Sequence, residues 1–161
     1  MEALSGIPGT VGGAVKMNAG AYNREIKDIF QSGSFFRKNG ERMDLDLGQM
    51  DFSYRHSAVE DDMVCLSASF LLQKGEAASI REKMEDYTTR RAEKQPLEMP
   101  SAGSTFKRPE GDYASRLIEQ AGLRGFSLNH AGVSEKHCGF VVNLGGASAE
   151  NIYSLIQEVI R

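Results

Sequence analysis

The sequence lacks the features that mark several classes of protein. Its 161 residues include only two cysteines, Cys65 and Cys138, which stand in no paired motif. This argues against a disulfide framework and for a reducing compartment. No apolar run is long enough to span a bilayer, and no basic stretch followed by an apolar one opens the chain as in a secretory signal. We therefore expect a cytoplasmic protein with no membrane partner.

An excess of positive charge and the spacing of metal ligands are also missing. The 19 basic and 22 acidic residues leave a net charge of −3, so nucleic acid is not an expected partner. The three histidines and two cysteines show no ligand spacing, and we expect no metal site. A hydrophobic content of 40% with 25% charged residues is typical of a globular domain with a core.

Strand and turn patterns come before residue 74, and helical patterns come after it. The patterns predict a hairpin at Asn39-Gly40, a buried strand over 63–74, and helices over 76–94, 112–122 and from Ser148 onward. Because strands and helices occur in blocks, the predicted fold class is α+β with an antiparallel or mixed sheet. The last helix meets no stop signal before Arg161, and a glycine motif begins within five residues of Met1. We expect a chain cut short at both ends.

Glycines are concentrated in "SGIPGTVGGAVKMNAGAY", residues 5–22, hereafter the glycine-rich segment. Such a segment lets the backbone approach a flat or phosphorylated group closely. Its spacing fits neither the dinucleotide-binding fingerprint nor a P-loop. Tight turns between strands are the alternative explanation.

Two further stretches carry candidate chemistry. In "DFSYRHS" (51–57), an extended backbone would place Tyr54 and His56 on one face and Arg55 on the other. Arg55 can present a planar donor fork to a carboxylate or an enolate, although spacing alone favours a solvated edge-strand arginine. In "PSAGSTFKRP" (100–109), Ser104 is compatible with a nucleophile, an anion-loop hydroxyl, a proton donor or a turn residue. The nucleophile is the weakest of these because the second glycine of G-x-S-x-G is absent.

Five cations surround that loop and form a candidate diphosphate site. They are Arg90, Arg91, Lys94, Lys107 and Arg108. A solvated helix end explains the first three equally well, because cations favour a helix C-terminus.

Taken in order, "GIPGTVGGAVKMNAGAY", "SYRHS", "KQP", "SAGSTFKRP", "AGLRG" and "VSEKHCGFVVN" resemble the UDP-N-acetylenolpyruvoylglucosamine reductase (MurB) family, in its compact subtype. The resemblance covers essentially the whole chain. It implies the C-terminal part of an FAD-binding domain of the PCMH/VAO type over 1–74. It also implies a UDP-sugar substrate domain over 75–161, truncated at its C-terminus.

The resemblance also implies an activity and a set of site residues. FAD and NADPH would reduce the enolpyruvyl group of a UDP-sugar in peptidoglycan synthesis. Arg55 and Ser104 would be catalytic, and Tyr54, Lys94 and Arg108 would bind substrate. The residues expected to bind the cofactor are Gly6, Ile7, Gly9, Thr10, Gly12, Gly13, Ala14, Asn18 and Gly20.

The same resemblance points to parts that this chain does not contain. The family's N-terminal flavin-binding part and a C-terminal catalytic glutamate are not matched, so we expect the chain alone to be incompetent. We expect the full-length protein to be monomeric and the fragment to self-associate. "LNHAGVSEK" departs from the family's pattern at Asn129 to Gly132. The alternatives are a non-catalytic nucleotide-sugar or anion-binding module, and a serine hydrolase at Ser104.

Overall fold

The computed structural model describes all residues, 1–161, and divides them into two compact units, Met1–Tyr87 and Thr88–Arg161. Every strand pair is antiparallel, in agreement with the α+β prediction. In chain order the elements are α1 (Val11–Lys16), β1 (Gly20–Ala21), β2 (Arg24–Glu25), β3 (Phe30–Arg37), β4 (Arg42–Asp46), β5 (Met63–Phe70), α2 (Ala77–Lys94), α3 (Ala114–Gln120), β6 (Ser127–Leu128), β7 (Ala131–Val133), β8 (Val141–Asn143) and α4 (Ala149–Ile160). None of these helices is long and apolar enough to span a membrane.

The first unit is built on a three-stranded sheet in the order β4-β3-β5. The predicted hairpin is confirmed: β3 and β4 pair from Ser32 opposite Asp46 to Phe36 opposite Arg42, with Gly40 at φ 92 in the connection. Asn39-Gly40 allows the left-handed backbone that this turn needs.

The strand predicted over 63–74 ends at Phe70, and only one of its faces is covered. Met63 is buried, whereas Val64 is 62% and Leu66 57% exposed. Val64 lies opposite Phe36 of β3, which is itself 42% exposed. The prediction of a buried strand is therefore wrong for the outer face of the sheet. Self-association of the chain stays a prediction.

The core of the first unit lies beneath the sheet. Its buried residues are Val15, Ile26, Phe30, Phe35, Met50, Val59 and Met63. Complete burial of one such aromatic side chain stabilises the folded state by about 1.5 to 3 kcal/mol. This core packs α1 and the following short turns against β3 and β5.

The helix predicted over 76–94 is confirmed as α2, which begins in the first unit and continues past Tyr87. The Tyr87 ring stacks on Tyr22 at 4.3 Å between centroids and an interplanar angle of 18°. The Tyr22 hydroxyl donates to the Tyr87 carbonyl at 3.2 Å. The end of the glycine-rich segment is thereby fixed to α2.

The second unit has a sheet in the order β6-β7-β8, and α4 packs against all three strands. Leu155 of α4 is completely buried among Ala131 and Val141. The predicted start of α4 is confirmed, because the Ser148 hydroxyl accepts from the Asn151 amide at 3.2 Å.

The short helix α3 occupies only the middle of the range predicted for it, 112–122. Its N-cap is Tyr113, and Gly122 follows its end at φ 75. Ile118 is buried, whereas Leu117 is 44% exposed. The division of the chain into a flavin-binding part over 1–74 and a substrate domain over 75–161 stays a prediction.

Candidate functional site

The glycine-rich segment contains the whole of α1 and the residues on either side of it. The Thr10 side chain caps this helix by accepting from the Gly13 amide at 3.1 Å. Gly9 has φ 124 and Gly6 has φ 76, both in the region that favours glycine. A Cβ at Gly9 would meet no atom within 4 Å, so this side of the segment faces open space.

Other glycines of the segment are required by neighbouring parts of the same unit. A Cβ at Gly12 would lie 3.2 Å from the Cβ of Cys65 on β5. A Cβ at Gly20 would lie 2.5 Å from the Arg24 carbonyl oxygen. These two positions are small because α1 packs on β5 and β1 packs on β2.

Asn18 is completely buried and organises the centre of the segment. Its amide nitrogen donates to Glu25 Oε2 at 3.1 Å and to the Ser53 carbonyl at 2.9 Å. Its amide oxygen accepts from the Lys27 backbone N–H at 3.0 Å. Since both N–H bonds and the oxygen are engaged within the protein, the side chain serves the fold.

Arg55 lies in a tight turn, not in an extended strand. Ser53 and His56 exchange backbone hydrogen bonds at 3.2 Å in both directions, with Tyr54 and Arg55 between them. Arg55 has φ 54, an uncommon conformation for a residue other than glycine. The expectation that Tyr54 and His56 share one face of a strand is therefore wrong, because the chain reverses here.

The Arg55 side chain reaches back to the glycine-rich segment. Its guanidinium donates to the Asn18 carbonyl at 3.3 Å and to the Gly20 carbonyl at 2.9 Å. The Glu25 carboxylate lies 3.7 Å from the same guanidinium, which also lies 4.8 Å from the centre of the Tyr54 ring. The arginine side chain is only 27% exposed, so it is not the solvated edge-strand arginine that spacing alone favoured.

This arrangement defines what Arg55 can do chemically. A guanidinium has five N–H donors in a plane, and two of them are donated to backbone carbonyls. These two hydrogen bonds also hold the remaining N–H donors of the guanidinium in a fixed position. A fixed, partly desolvated cation of this kind stabilises a carboxylate or an oxyanion more strongly than a mobile one in water does.

In the second unit, Ser104 lies in a loop that is held against the β8 region. Ser104 forms an isolated antiparallel bridge with Phe140. The Thr105 amide donates to the Gly139 carbonyl at 2.9 Å, and the Thr105 hydroxyl accepts from the Val141 amide at 3.2 Å. Ser104 itself is exposed. The loop therefore presents this hydroxyl from an ordered backbone.

The predicted substrate cations of the second unit are both exposed. The Arg108 guanidinium lies over the Tyr113 ring, 4.4 Å from its centre. Lys94 is the last residue of α2, and the end of this helix is bound by Lys136, whose ammonium donates to the Ala92 carbonyl at 2.6 Å.

The stretch "VSEKHCGF" forms the turn that carries Lys136. Gly139 donates its amide proton to His137 Nδ1 at 3.1 Å, which requires an unprotonated nitrogen there. Burial, together with the nearby Arg124 guanidinium, lowers the pKa of His137. Burial also raises the pKa of the neighbouring Cys138 thiol.

The structure thus brings Arg55, Tyr54 and the glycine-rich segment together within the first unit. Ser104, Lys94 and Arg108 belong to the second unit. Sequence reasoning missed Glu25 and Lys136. No sequence signal identifies Glu25 as an Arg55 contact, because thirty positions separate the two and only the fold joins them.

Comparison with known proteins gives consistent matches. Residues 95–161 match the family described as UDP-N-acetylenolpyruvoylglucosamine reductase, C-terminal domain. The enzyme of that name from Clostridioides difficile is 53% identical over 159 residues, which are 98% of this chain and 52% of the relative. That from Clostridium novyi is 51% identical over 160 residues, 99% of this chain and 52% of the relative.

A solved structure agrees with these sequence matches. The crystal structure of the Thermus caldophilus reductase (MurB) superposes with a TM-score of 0.87 at 35% identity, covering 98% of this chain and 58% of that one. The chain is thus related to a class of reductases. Over nearly its whole length it is similar to UDP-N-acetylenolpyruvoylglucosamine reductases, as the motifs predicted, and it spans about half the length of the curated relatives it matches.

Proposed function

We propose that this protein acts in the reduction of UDP-N-acetylglucosamine enolpyruvate to UDP-N-acetylmuramate, with FAD and NADPH, in peptidoglycan synthesis. The observation that carries the proposal is the anchoring of the Arg55 guanidinium on the Asn18 and Gly20 carbonyls. It puts the proposed charge-stabilising cation beside the segment proposed to line the flavin. The family match supports the same assignment.

Arg55 would stabilise the negative charge that develops on the substrate carboxylate during reduction. Addition of hydride to the enolpyruvyl double bond gives an aci-enolate, whose charge is greater in the transition state than in the ground state. A guanidinium held in place before the reaction stabilises that transition state selectively. Removal of one such group typically costs about 3 to 4 kcal/mol of transition-state stabilisation.

Ser104 would donate the proton that completes the reaction at the adjacent carbon. A serine hydroxyl is a weak acid, but the carbanion-like carbon that it would protonate is strongly basic. Such a transfer depends on a fixed donor position. The hydrogen bonds of Thr105 to Gly139 and Val141 support this requirement, since they order the backbone next to Ser104.

The glycine-rich segment fits a flavin on its open side. The positions that would line it are Gly6, Ile7, Gly9, Thr10, Gly12, Gly13, Ala14, Asn18 and Gly20. Gly6, Gly9, Thr10 and Gly13 are exposed, and the open space at Gly9 leaves room for a flat group against the backbone. Asn18 would contribute through the backbone, because its side chain is already engaged. FAD, when bound, supplies the hydride after its reduction by NADPH.

Tyr54, Lys94 and Arg108 would bind the UDP-sugar. Tyr54 is 45% exposed beside Arg55, so its ring is available to a ligand. Lys94 and Arg108 are exposed cations of the kind that pairs with a diphosphate. The contact with the Tyr113 ring supports an ordered position for Arg108. The hydrogen bond from Lys136 to the end of α2 supports an ordered position for Lys94.

The test has two arms because the chain spans half the length of its relatives. In the first, the purified chain is examined for flavin absorption, for UDP-sugar binding by calorimetry, and for UDP-N-acetylglucosamine enolpyruvate-dependent oxidation of NADPH. In the second, the same assays are run after addition of the part of the Clostridioides difficile reductase that lies outside the match. We expect little or no turnover in the first arm and turnover in the second.

Variants identify the residues responsible in the second arm. Arg55→Lys and Ser104→Ala should each reduce turnover by at least about 100-fold, as loss of a transition-state contact does. Asn39→Ala, a change in the distant hairpin, is the matched control and should retain turnover. UDP-sugar binding without flavin uptake in both arms would instead favour a non-catalytic binding module. Absence of both kinds of binding would contradict the proposal.

A further inference from the structure

Glu25 is the one carboxylate that contacts the Arg55 guanidinium, and the same carboxylate is held by several other groups. Its Oε2 accepts from Asn18 Nδ2 at 3.1 Å and lies 3.0 Å from Lys27 Nζ. Its Oε1 lies 3.7 Å from the Arg55 guanidinium. The Glu25 side chain is only 22% exposed, so these interactions are weakly screened by water.

The backbone around Glu25 is fixed as well. Glu25 is the N-cap of a short 3-10 turn, Ile26–Asp28, and forms a reciprocal capping box with Asp28. The Glu25 amide donates to Asp28 Oδ2 at 2.9 Å. A carboxylate restrained at its backbone and at Oε2 has no freedom to move away from Arg55. The Glu25 carboxylate therefore holds a fixed position next to the guanidinium.

The carbonyls that receive the Arg55 hydrogen bonds belong to the same small network. The Asn18 backbone carbonyl accepts from Arg55, and the Asn18 side-chain amide donates to Glu25. Gly20, the other acceptor, pairs with Glu25 across β1 and β2. Arg55 is thus held through two hydrogen bonds and one charge contact, all made by its two Nη groups.

We propose that Glu25 is a positioning residue for Arg55. It fixes the orientation of the guanidinium through the contact between opposite charges, so that the remaining N–H donors face the substrate carboxylate. This inference rests on the proposed function for its consequence in turnover. The geometric part, that Glu25 restrains Arg55, stands independently of the reaction.

The charge of Glu25, rather than its shape, is responsible for this restraint. A glutamine at position 25 keeps an oxygen that accepts from Asn18, and so preserves the fold of the segment. It removes the attraction for Arg55, whose backbone is in the strained left-handed region and whose two hydrogen bonds go to neutral carbonyls. The guanidinium then gains rotational freedom.

The first experiment observes Arg55 directly in the 161-residue chain. Nitrogen-detected NMR of the arginine side chains distinguishes a guanidinium whose two Nη groups are restrained from one that rotates freely. We expect two resolved Arg55 Nη signals in the unsubstituted protein and a single averaged signal in Glu25→Gln, with the backbone amide spectrum otherwise retained. Glu60→Gln is the matched control, because it removes a carboxylate paired with Arg37 at 2.9 Å elsewhere in the same unit. It should leave Arg55 unchanged.

The second experiment measures turnover in the two-component assay described above. Displacement of a catalytic group by up to about 1 Å from its productive position costs about 10- to 100-fold in rate. We expect Glu25→Gln to lower kcat in that range while KM changes less than about threefold, since ground-state binding of the UDP-sugar depends on other contacts. Glu60→Gln should change neither.

The two readouts separate failure of this inference from failure of the proposed function. Unchanged Arg55 signals in a folded Glu25→Gln protein would overturn the positioning role. A change in those signals without turnover in the unsubstituted two-component system would support the restraint and contradict the proposed function. If Glu25→Gln does not fold, the same NMR measurement is made on Glu25→Asp. This variant keeps the negative charge but moves it away from Arg55 by the length of one methylene group. Arg55 signals that stay resolved and unshifted there would also overturn the inference.

Discussion

Replacement of Asn18 by alanine tests whether this residue supports the fold of the first unit rather than a ligand. The substitution leaves the Ser53 carbonyl and the Lys27 amide without the partner they have at 2.9 and 3.0 Å. Loss of each of these part-buried hydrogen bonds costs about 0.5 to 1.5 kcal/mol. Asn18 also has φ 41, where an alanine is strained by about 1 kcal/mol. We expect Asn18→Ala to lower the free energy of unfolding by about 2 to 4 kcal/mol.

Two further variants divide this total into its causes. Asn18→Gly loses the same hydrogen bonds but tolerates the left-handed backbone, so it should be about 1 kcal/mol more stable than Asn18→Ala. Asn39→Ala is the matched control: its side chain also accepts a backbone N–H, from Glu41 at 2.9 Å, but it is exposed. That control should cost less than about 1 kcal/mol.

The assay is urea unfolding followed by far-UV circular dichroism, combined with hydrogen exchange of the Lys27 amide. Exchange at Lys27 localises the effect, since this amide donates directly to Asn18. A loss below about 1 kcal/mol for Asn18→Ala would refute the reasoning. Equal stability of the glycine and alanine variants would refute the contribution assigned to backbone strain.

Three further predictions concern packing and pH. Gly20→Ala should destabilise the first unit by about 1 to 3 kcal/mol in urea unfolding, because its Cβ would lie 2.5 Å from the Arg24 carbonyl; an unchanged midpoint would contradict this packing. Leu155→Ala removes a completely buried side chain and should cost about 2 to 5 kcal/mol in thermal unfolding, with a smaller loss counting against the core assigned to α4. Because burial lowers the pKa of His137 from 6.5, the unfolded chain binds its proton at higher pH than the folded chain does. The stability due to the neutral imidazole is therefore fully present above pH 6.5 and is lost as the pH falls through the lower pKa of the folded state. His137→Asn, which keeps an acceptor for Gly139, should flatten the loss of stability below pH 6.5.

The elements that were predictable from sequence are those with local signals. Asn39-Gly40 specifies its own turn, and Ser148 specifies the start of α4 through a side chain three residues from its partner. The family, and with it Arg55 and Ser104 as candidates, followed from ordered motifs. Each of these signals lies within a few consecutive residues.

What was not predictable depends on contacts between distant positions. The conformation of Arg55 is set by carbonyls about 35 residues earlier, so the extended backbone considered for residues 51–57 is replaced by a turn. The apolar residues Val64 and Leu66 predicted burial, but burial depends on what covers the outer face of the sheet. The side-chain partners of Asn18 were not predictable, because they lie seven to 35 positions away in the sequence.

The stacked pair of Tyr22 and Tyr87 has a practical consequence for spectroscopy. The chain contains no tryptophan and five tyrosines, so its near-ultraviolet signal comes mainly from tyrosine. Two phenol rings 4.3 Å apart and nearly parallel couple their transitions, and this coupling is lost when the rings separate. Near-ultraviolet circular dichroism at tyrosine wavelengths thus reports attachment of the glycine-rich segment to α2. Uptake of an added flavin is followed separately, by its visible absorption, which lies outside that range.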